Sequence, residues 1–135
     1  MTKVICFGTF DLLHPGHLNY FKQAKKHGNY LIVVIARDKT KKLQNKPLLF
    51  NEKQRLKTIQ NLKIVDQAVL GSLTNHLQVI KKLKPDIICL GYDHKIKIPE
   101  LRNKLKQLHL TPKIKRLQPY QTNKYKSSKL KKLFL

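Results

Sequence analysis

Val4-Ile5-Cys6-Phe7, followed at once by Gly8-Thr9-Phe10-Asp11-Leu12-Leu13-His14-Pro15-Gly16-His17, is the stretch on which the reading of this chain turns. The four apolar residues read as a short buried strand. Beyond them Leu18, Phe21 and Ala24 recur at i, i+3, i+6, the spacing of one helical face. Pro15 is tolerated in a first helical turn, and Gly28 suits a helix stop. Next comes Tyr30–Ala36, a continuous apolar run rich in β-branched residues, which is how a strand covered on both faces reads. Residues 4–36 therefore read as strand, helix, strand, a βαβ unit that closes with a right-handed crossover.

The pattern repeats toward the C-terminus. Asn51 with Gln54 three residues on has capping-box spacing and opens a helix through NEKQRLKTIQNL. Val65–Gly71 reads as a third strand, and Leu77, Ile80 and Leu83 mark a helix after it. Pro85–Gly91 reads as a fourth strand. A helix opens near Pro99, Lys113–Leu117 is a weaker fifth strand, and SSKLKKLFL closes the chain as a short helix. Alternating strands and helices over 135 residues imply a single α/β domain spanning residues 1–135, a small doubly wound, mostly parallel five-stranded sheet.

Composition narrows the function classes. No apolar run approaches the roughly 20 residues of a membrane span. The N-terminus enters a strand pattern with no signal-peptide core before it, so a cytoplasmic protein is expected. Cys6 and Cys89 both lie in apolar runs and read as buried reduced thiols. Twenty-nine Lys and Arg against seven Asp and Glu give a net charge of +22, a field that attracts polyanions or phosphorylated small molecules. The lysines are spread along the whole chain rather than gathered on one element, so they read mainly as solvated helix faces. No dedicated nucleic-acid partner is expected, although a basic nucleic-acid-binding module is the alternative of a different class.

In doubly wound sheets, ligands bind beyond the carboxyl ends of the strands where the strand order reverses. Two segments there carry chemistry: Gly8-Thr9-Phe10 and Gly91-Tyr92-Asp93-His94, each with a glycine where a ligand could approach the backbone. If strands one and four are neighbours, the two loops share a crevice. The helix after His14-Pro15-Gly16 starts there, and its free N–H groups and dipole favour phosphate. His14 and His17 then read as two N–H donors aimed at a phosphate chain. Other uses of the pair are open. Histidines three apart can hold zinc, but no nearby cysteine or further ligand completes a site, and they can also cap and pack a turn. His27, His76 and His109 show no constellation and read as surface residues.

GTFDLLHPGH resembles the signature of the nucleotidyltransferase superfamily of cytidylyltransferases and adenylyltransferases that share a His-x-Gly-His motif. VVIARDKT, NEKQR and KPDIICLGYD follow at suitable intervals, so the resemblance runs from about residue 3 to about residue 130. Within that superfamily, IARDKT, VDQAVLGS and IKKLKPDIICLGYDH look most like the archaeal-type FAD synthases, which transfer AMP from ATP to FMN and release pyrophosphate. Glycerol-3-phosphate cytidylyltransferases, which use CTP, are also similar in motif and length.

The resemblance implies roles for particular residues. Thr9 and Phe10 would meet the nucleotide through the loop after strand one. His14 and His17, with Pro15 and Gly16 between them, would bind the triphosphate and stabilise the transition state. Lys46 would bridge the phosphates of both substrates, with Lys42 a weaker candidate. Arg55 would take a phosphate or a structural role. Gly91 and Asp93 would hold the ribose or base, Tyr120 would line the nucleotide pocket, and Ser127 and Ser128 would touch phosphate at the start of the last helix. The family's arginine and glutamate before that helix are absent from QTNKYKSSKL, where Lys124 or Lys126 would supply charge. A divalent cation, Mg²⁺, is implied on the triphosphate, with no protein metal site. Asp11 would either help hold it or anchor its own turn. Relatives are often dimers, and Leu130, Leu133 and Phe134 form an apolar face that would serve a homodimer or the monomer core. No nucleophilic Ser or Cys constellation is needed, because a phosphate monoester is already anionic and catalysis is mainly positioning and charge neutralisation.

Overall fold

The computed structural model describes residues 1–73, 76–92 and 94–119. Ten elements alternate along it: β1 (Lys3–Gly8), α1 (Pro15–Lys25), β2 (Tyr30–Ile35), α2 (Asp38–Leu43), α3 (Glu52–Gln60), β3 (Gln67–Leu70), α4 (His76–Leu83), β4 (Ile87–Leu90), α5 (Ile98–Gln107) and β5 (Lys113–Arg116). The five strands form one sheet in the order β3-β2-β1-β4-β5, and every pairing is parallel. β1 is central, with Cys6 opposite Val33 on one side and Cys89 on the other.

Strand order runs one way from β1 to β3 and the other way from β1 to β5. Crossovers of constant hand then place their helices on opposite faces. Accordingly Val4 and Cys6 pack with Phe21 and Ala24 of α1 and Ile59 of α3, whereas Ile5 and Phe7 pack with Ile80 of α4 and Leu101 and Leu105 of α5. Residues on both sides of β1 and β2 are buried, which is why their sequences read as unbroken apolar runs. The reversal between β1 and β4 opens the crevice expected at a switch point.

Several local readings change. Leu18 is exposed, because the face of α1 turned to the sheet carries Phe21 and Ala24, with Tyr20 beside them. Gly28 adopts no positive φ. It is required because a Cβ there would lie 2.6 Å from both the Thr2 carbonyl oxygen and Val4 Cγ2. The six-residue α2 was not expected; it is short and polar and carries no apolar period. The capping box on α3 is present, with both Asn51 and Gln54 side chains bonded to the other's backbone N–H. The expected closing helix, with Leu130, Leu133 and Phe134, lies outside the described residues.

Candidate active site

α1 begins at the switch point, and His14 is its N-cap. The His14 Nδ1 accepts a hydrogen bond from the Gly16 amide at 3.1 Å, and its carbonyl accepts from the His17 amide at 2.9 Å. Pro15 has no N–H. The first amides of the helix, expected to be free for phosphate, are therefore engaged by His14 itself. With Nδ1 accepting, the proton sits on Nε2, so His14 is held as a neutral Nε2–H donor. Burial also lowers its pKa below 6.5. The His17 ring stacks on it, with centroids 3.8 Å apart and planes 24° from parallel. Two imidazolium ions would repel at that distance, which again favours a neutral His14.

Phe10 supports this pair from below. Its φ is 54°, a left-handed backbone unusual outside glycine. That turn folds the ring inward, edge-on to His17 at 5.3 Å and 5.0 Å from Phe21. The ring occupies the space that a Cβ on Gly8 would need, approaching to 2.4 Å. Gly8 thus makes room for Phe10, whose side chain packs in the core.

β1 and β4 are neighbours, so the loops that follow them leave the sheet side by side. Tyr20, which the spacing of apolar residues did not single out, closes the seam between them. Its hydroxyl accepts from the Phe7 amide at 3.3 Å and lies 3.2 Å from the carbonyl oxygens of Phe7 and Cys89. Burial raises its pKa well above 10, so it stays a neutral phenol. The loop after β4 is fixed by His94, which the sequence placed in this segment without a role, and by Arg116, which it did not single out. His94 Nδ1 accepts from the Gly91 amide at 3.1 Å, and Arg116 donates to the carbonyls of Gly91, His94 and Ile96 at 3.2, 2.6 and 2.6 Å. The His94 ring stands edge-on to Tyr20 at 6.4 Å.

A third segment, residues 42–50, carries the lysine candidates. Asn45 takes φ 53° after α2, and the Lys46 amide returns to the Lys41 carbonyl at 3.0 Å. Lys42 and Lys46 are exposed and line a cleft of about 400 Å³ with Asp38, Pro47 and Phe50. Asp11, buried to 5 % exposure, accepts from the Leu49 and Phe50 amides at 2.8 and 2.9 Å. It anchors this distant loop. The described lining of the lysine cleft includes neither His14 nor His17; the Asp11 latch is what ties the two segments.

Arg55 takes the structural role. Its side chain has no exposed surface, and its guanidinium donates to the carbonyls of Phe50 and Thr9 at 3.2 and 2.8 Å and to Asp38 at 2.7 Å. It is enclosed by protein acceptors rather than presented to a substrate phosphate. Burial pushes the Asp38 carboxyl up, but bonds from the Glu52 amide and Arg55 outweigh it and hold the group below the usual carboxylate range. Glu52 in turn accepts from Arg37 Nε at 3.0 Å and from the Asp38 amide at 2.9 Å.

Among the described residues, no three His, Cys, Asp or Glu side chains are grouped to hold a metal. Asp11, the acidic candidate, faces two amides. Cys6 and Cys89 are buried free thiols. Burial pushes the Cys89 thiol up to about 12 and Cys6 higher still. His27 and His109 are exposed. Asp93, Tyr120, Ser127, Ser128, Lys124 and Lys126 lie outside the described residues.

A stacked His-x-Gly-His pair on the first turn after β1, at the switch point of a five-stranded parallel sheet, is matched by a family model described as cytidylyltransferase-like over residues 5–133. The chain belongs to that family. It is 42 % identical over 132 residues to the FAD synthase of Thermoplasma volcanium, covering 98 % of this chain and 93 % of that one. It is 43 % identical over 136 residues to the FAD synthase of Methanohalophilus mahii, covering 100 % of this chain and 95 % of that one. A crystal structure of a lipopolysaccharide core biosynthesis protein from Thermoplasma volcanium superposes with TM-score 0.87 at 44 % identity, covering 89 % and 98 % of the two chains. Pantoate–β-alanine ligase from Francisella tularensis, at 17 % identity and TM-score 0.60 over 96 % of this chain and 68 % of that one, shares the fold.

Proposed function

We propose that this member of the cytidylyltransferase-like family is an FAD synthase, an FMN adenylyltransferase that joins the AMP of ATP to FMN. The observation that carries the reading is the stacked His14–His17 pair, one ring fixed as a neutral Nε2–H donor, in a chain that spans nearly the whole length of relatives named FAD synthase. An FMN phosphate oxygen attacks the α-phosphorus of ATP, the new P–O–P bond forms, and pyrophosphate leaves with the electrons of the broken bond. The nucleophile is already an anion, so no general base is required. The protein's work is to align the phosphates and to stabilise charge on the α-phosphoryl oxygens.

His14 and His17 donate to those oxygens. Asp11 and Arg55 act as positioning residues that set the loops around Thr9 and Lys46. Lys46 neutralises phosphate charge from the exposed loop, and its flexible ammonium suits a bridge between two substrates. A magnesium ion would come with the triphosphate and supply further charge neutralisation. Mg²⁺ is held by substrate phosphates in many enzymes, so the reading requires no dedicated protein cage for it. Asp93, Tyr120, Ser127 and Ser128 remain candidates for the nucleotide within the same proposal. No helix of the described residues is long and apolar enough to cross a membrane, and the reading assigns the enzyme to the cytoplasm.

The test is chromatographic detection of FAD from purified protein with FMN, Mg²⁺ and ATP, beside a reaction with CTP and glycerol 3-phosphate. FAD formation that falls by on the order of 10²–10³ in His17→Ala supports the reading, as expected for loss of one preorganised donor. Absence of FAD alongside turnover of CTP would overturn it in favour of a cytidylyltransferase.

A further inference from the structure

On the sheet face opposite α1 lies a second cavity, of about 260 Å³, between α4 and α5. Phe7, Ile80 and Leu90 border it, all strongly buried. Leu77 of α4 and Leu101 of α5 stand on either side, and Ile96 borders it from the loop before α5. Its exposed borders are polar: Lys95, Lys97, Glu100 and Lys104. The position matters as much as the lining. Phe7 and Leu90 are the residues immediately before Gly8 and Gly91, at the carboxyl ends of β1 and β4. The cavity and the histidine pair therefore flank the same two strand ends from opposite faces of the sheet.

A ligand that uses both must have a phosphate for the histidines, a flexible span over the strand ends, and a flat apolar body for the cavity. FMN has this composition: a phosphate, a five-carbon polyol and a tricyclic ring with one hydrocarbon edge and one carbonyl-bearing edge. Building on the FAD synthase reading, we propose that the isoalloxazine ring of FMN lodges between α4 and α5. Its dimethylbenzene edge rests on Phe7, Ile80 and Leu90, and its carbonyl edge lies toward Lys95 and Lys104. Such aliphatic walls with a few rim donors are what a largely preformed small-molecule site provides. Lysine ammonium groups are donors only, which matches the two flavin carbonyl oxygens.

The cavity is tested with Leu77→Trp, which fills it from α4, and with Lys104→Glu, an exposed change that reverses the rim charge without touching the core. Neither residue belongs to the histidine site. Binding of FMN and of riboflavin, which has the ring without the phosphate, is followed by flavin fluorescence, and KM values for FMN and ATP are measured in the FAD assay. Leu77→Trp is expected to weaken both flavins at least tenfold, and Lys104→Glu to weaken them about threefold or more, with KM for ATP within twofold. Should Leu77→Trp fail to fold, Lys104→Glu carries the test alone. Wild-type protein that makes FAD while both variants keep the FMN KM would overturn the ring site and leave the FAD synthase reading standing. A rise in KM for ATP alone would assign the cavity to adenine, against the proposal. Wild-type protein that neither binds FMN nor makes FAD would overturn both.

Discussion

The Leu49 amide donates a 2.8 Å hydrogen bond to the carboxylate of Asp11, 38 residues earlier in the chain. The Phe50 amide donates to the other oxygen at 2.9 Å. One buried carboxylate thus holds the lysine-bearing loop against the turn that precedes the histidine pair. A hydrogen bond to a charged group contributes about 1.5–3 kcal/mol, and removing the carboxylate leaves the Leu49 and Phe50 amides without that acceptor. Asp11→Ala is expected to lower the unfolding free energy by about 2–4 kcal/mol on that basis, measured by urea denaturation. Because the loop carries Lys46, the variant should also raise the KM for substrate more than it lowers kcat. An unchanged denaturation midpoint would mean that the latch contributes nothing.

Arg55 is tied to Thr9, Phe50 and Asp38 with its side chain shut off from solvent. Arg55→Met leaves two carbonyls and the partly exposed Asp38 carboxylate without that partner, and loss of a hydrogen bond to a charged group costs about 1.5–3 kcal/mol. Arg55→Lys keeps the charge but cannot span three acceptors with one ammonium, so it should also destabilise, by less. Calorimetric melting of the two variants checks the order wild type, Lys, Met. A stable Arg55→Lys protein whose only defect is weak ATP binding would return this residue to the substrate phosphates.

His14 links stability and turnover to pH. Its pKa lies below 6.5 in the folded chain because burial disfavours the imidazolium, whereas in the unfolded chain it is close to 6.5. Between those values the unfolded chain binds more protons, so this contribution is fully present above about pH 6.5 and is lost as pH falls through the folded pKa. Protonation also removes the Nδ1 lone pair that accepts from Gly16, releasing the N-cap of α1. His14→Asn is expected to keep a cap, since asparagine is a preferred N-cap residue, while losing the Nε2–H. The variant should therefore retain most of its stability at pH 8, lose the pH dependence that sets in below pH 6.5, and lose on the order of 10² in kcat if the ring donates in the transition state. Urea unfolding at several pH values and FAD turnover at pH 8 separate the two roles. Asp38 and Asp66, both held below the usual carboxylate range, add a loss of the same sign at more acidic pH.

What could be read in the sequence was what depends on near neighbours or on simple period. The parallel strands showed themselves because Val4–Phe7 and Tyr30–Ala36 are buried on both faces and carry no polar alternation. The Asn51–Gln54 cap needs only residues three apart. The histidine pair was visible through its motif. What escaped depends on distant contacts. The resemblance put Arg55 near the site but left a phosphate or a structural role open, and only the fold brings Thr9 to it, 46 residues away. Arg116 sits in an unremarkable basic strand, yet three carbonyls of the 91–96 loop converge on it. Tyr20 was passed over because period counting weighs apolar residues, while its role rests on a hydroxyl between two strands. The amides of α1 looked free because no sequence rule says that an N-cap histidine will take them.

Gly8 offers a separate check on the histidine geometry. A methyl group there would meet the Phe10 ring at 2.4 to 2.8 Å, well inside contact distance. Phe10 cannot yield by simple rotation, since its backbone is already left-handed and its ring is packed against Phe21 and Tyr20. Forcing extra volume into a packed core costs typically about 1–3 kcal/mol. Gly8→Ala should therefore fold with reduced stability, and the displaced ring should disturb His17, which it meets edge-on. The double variant Gly8→Ala/Phe10→Leu removes the clash while deleting the buttress. It is expected to recover part of the stability without recovering kcat, because His17 still lacks its support. Recovery of both together would show that Phe10 fills space and does not position the catalytic pair.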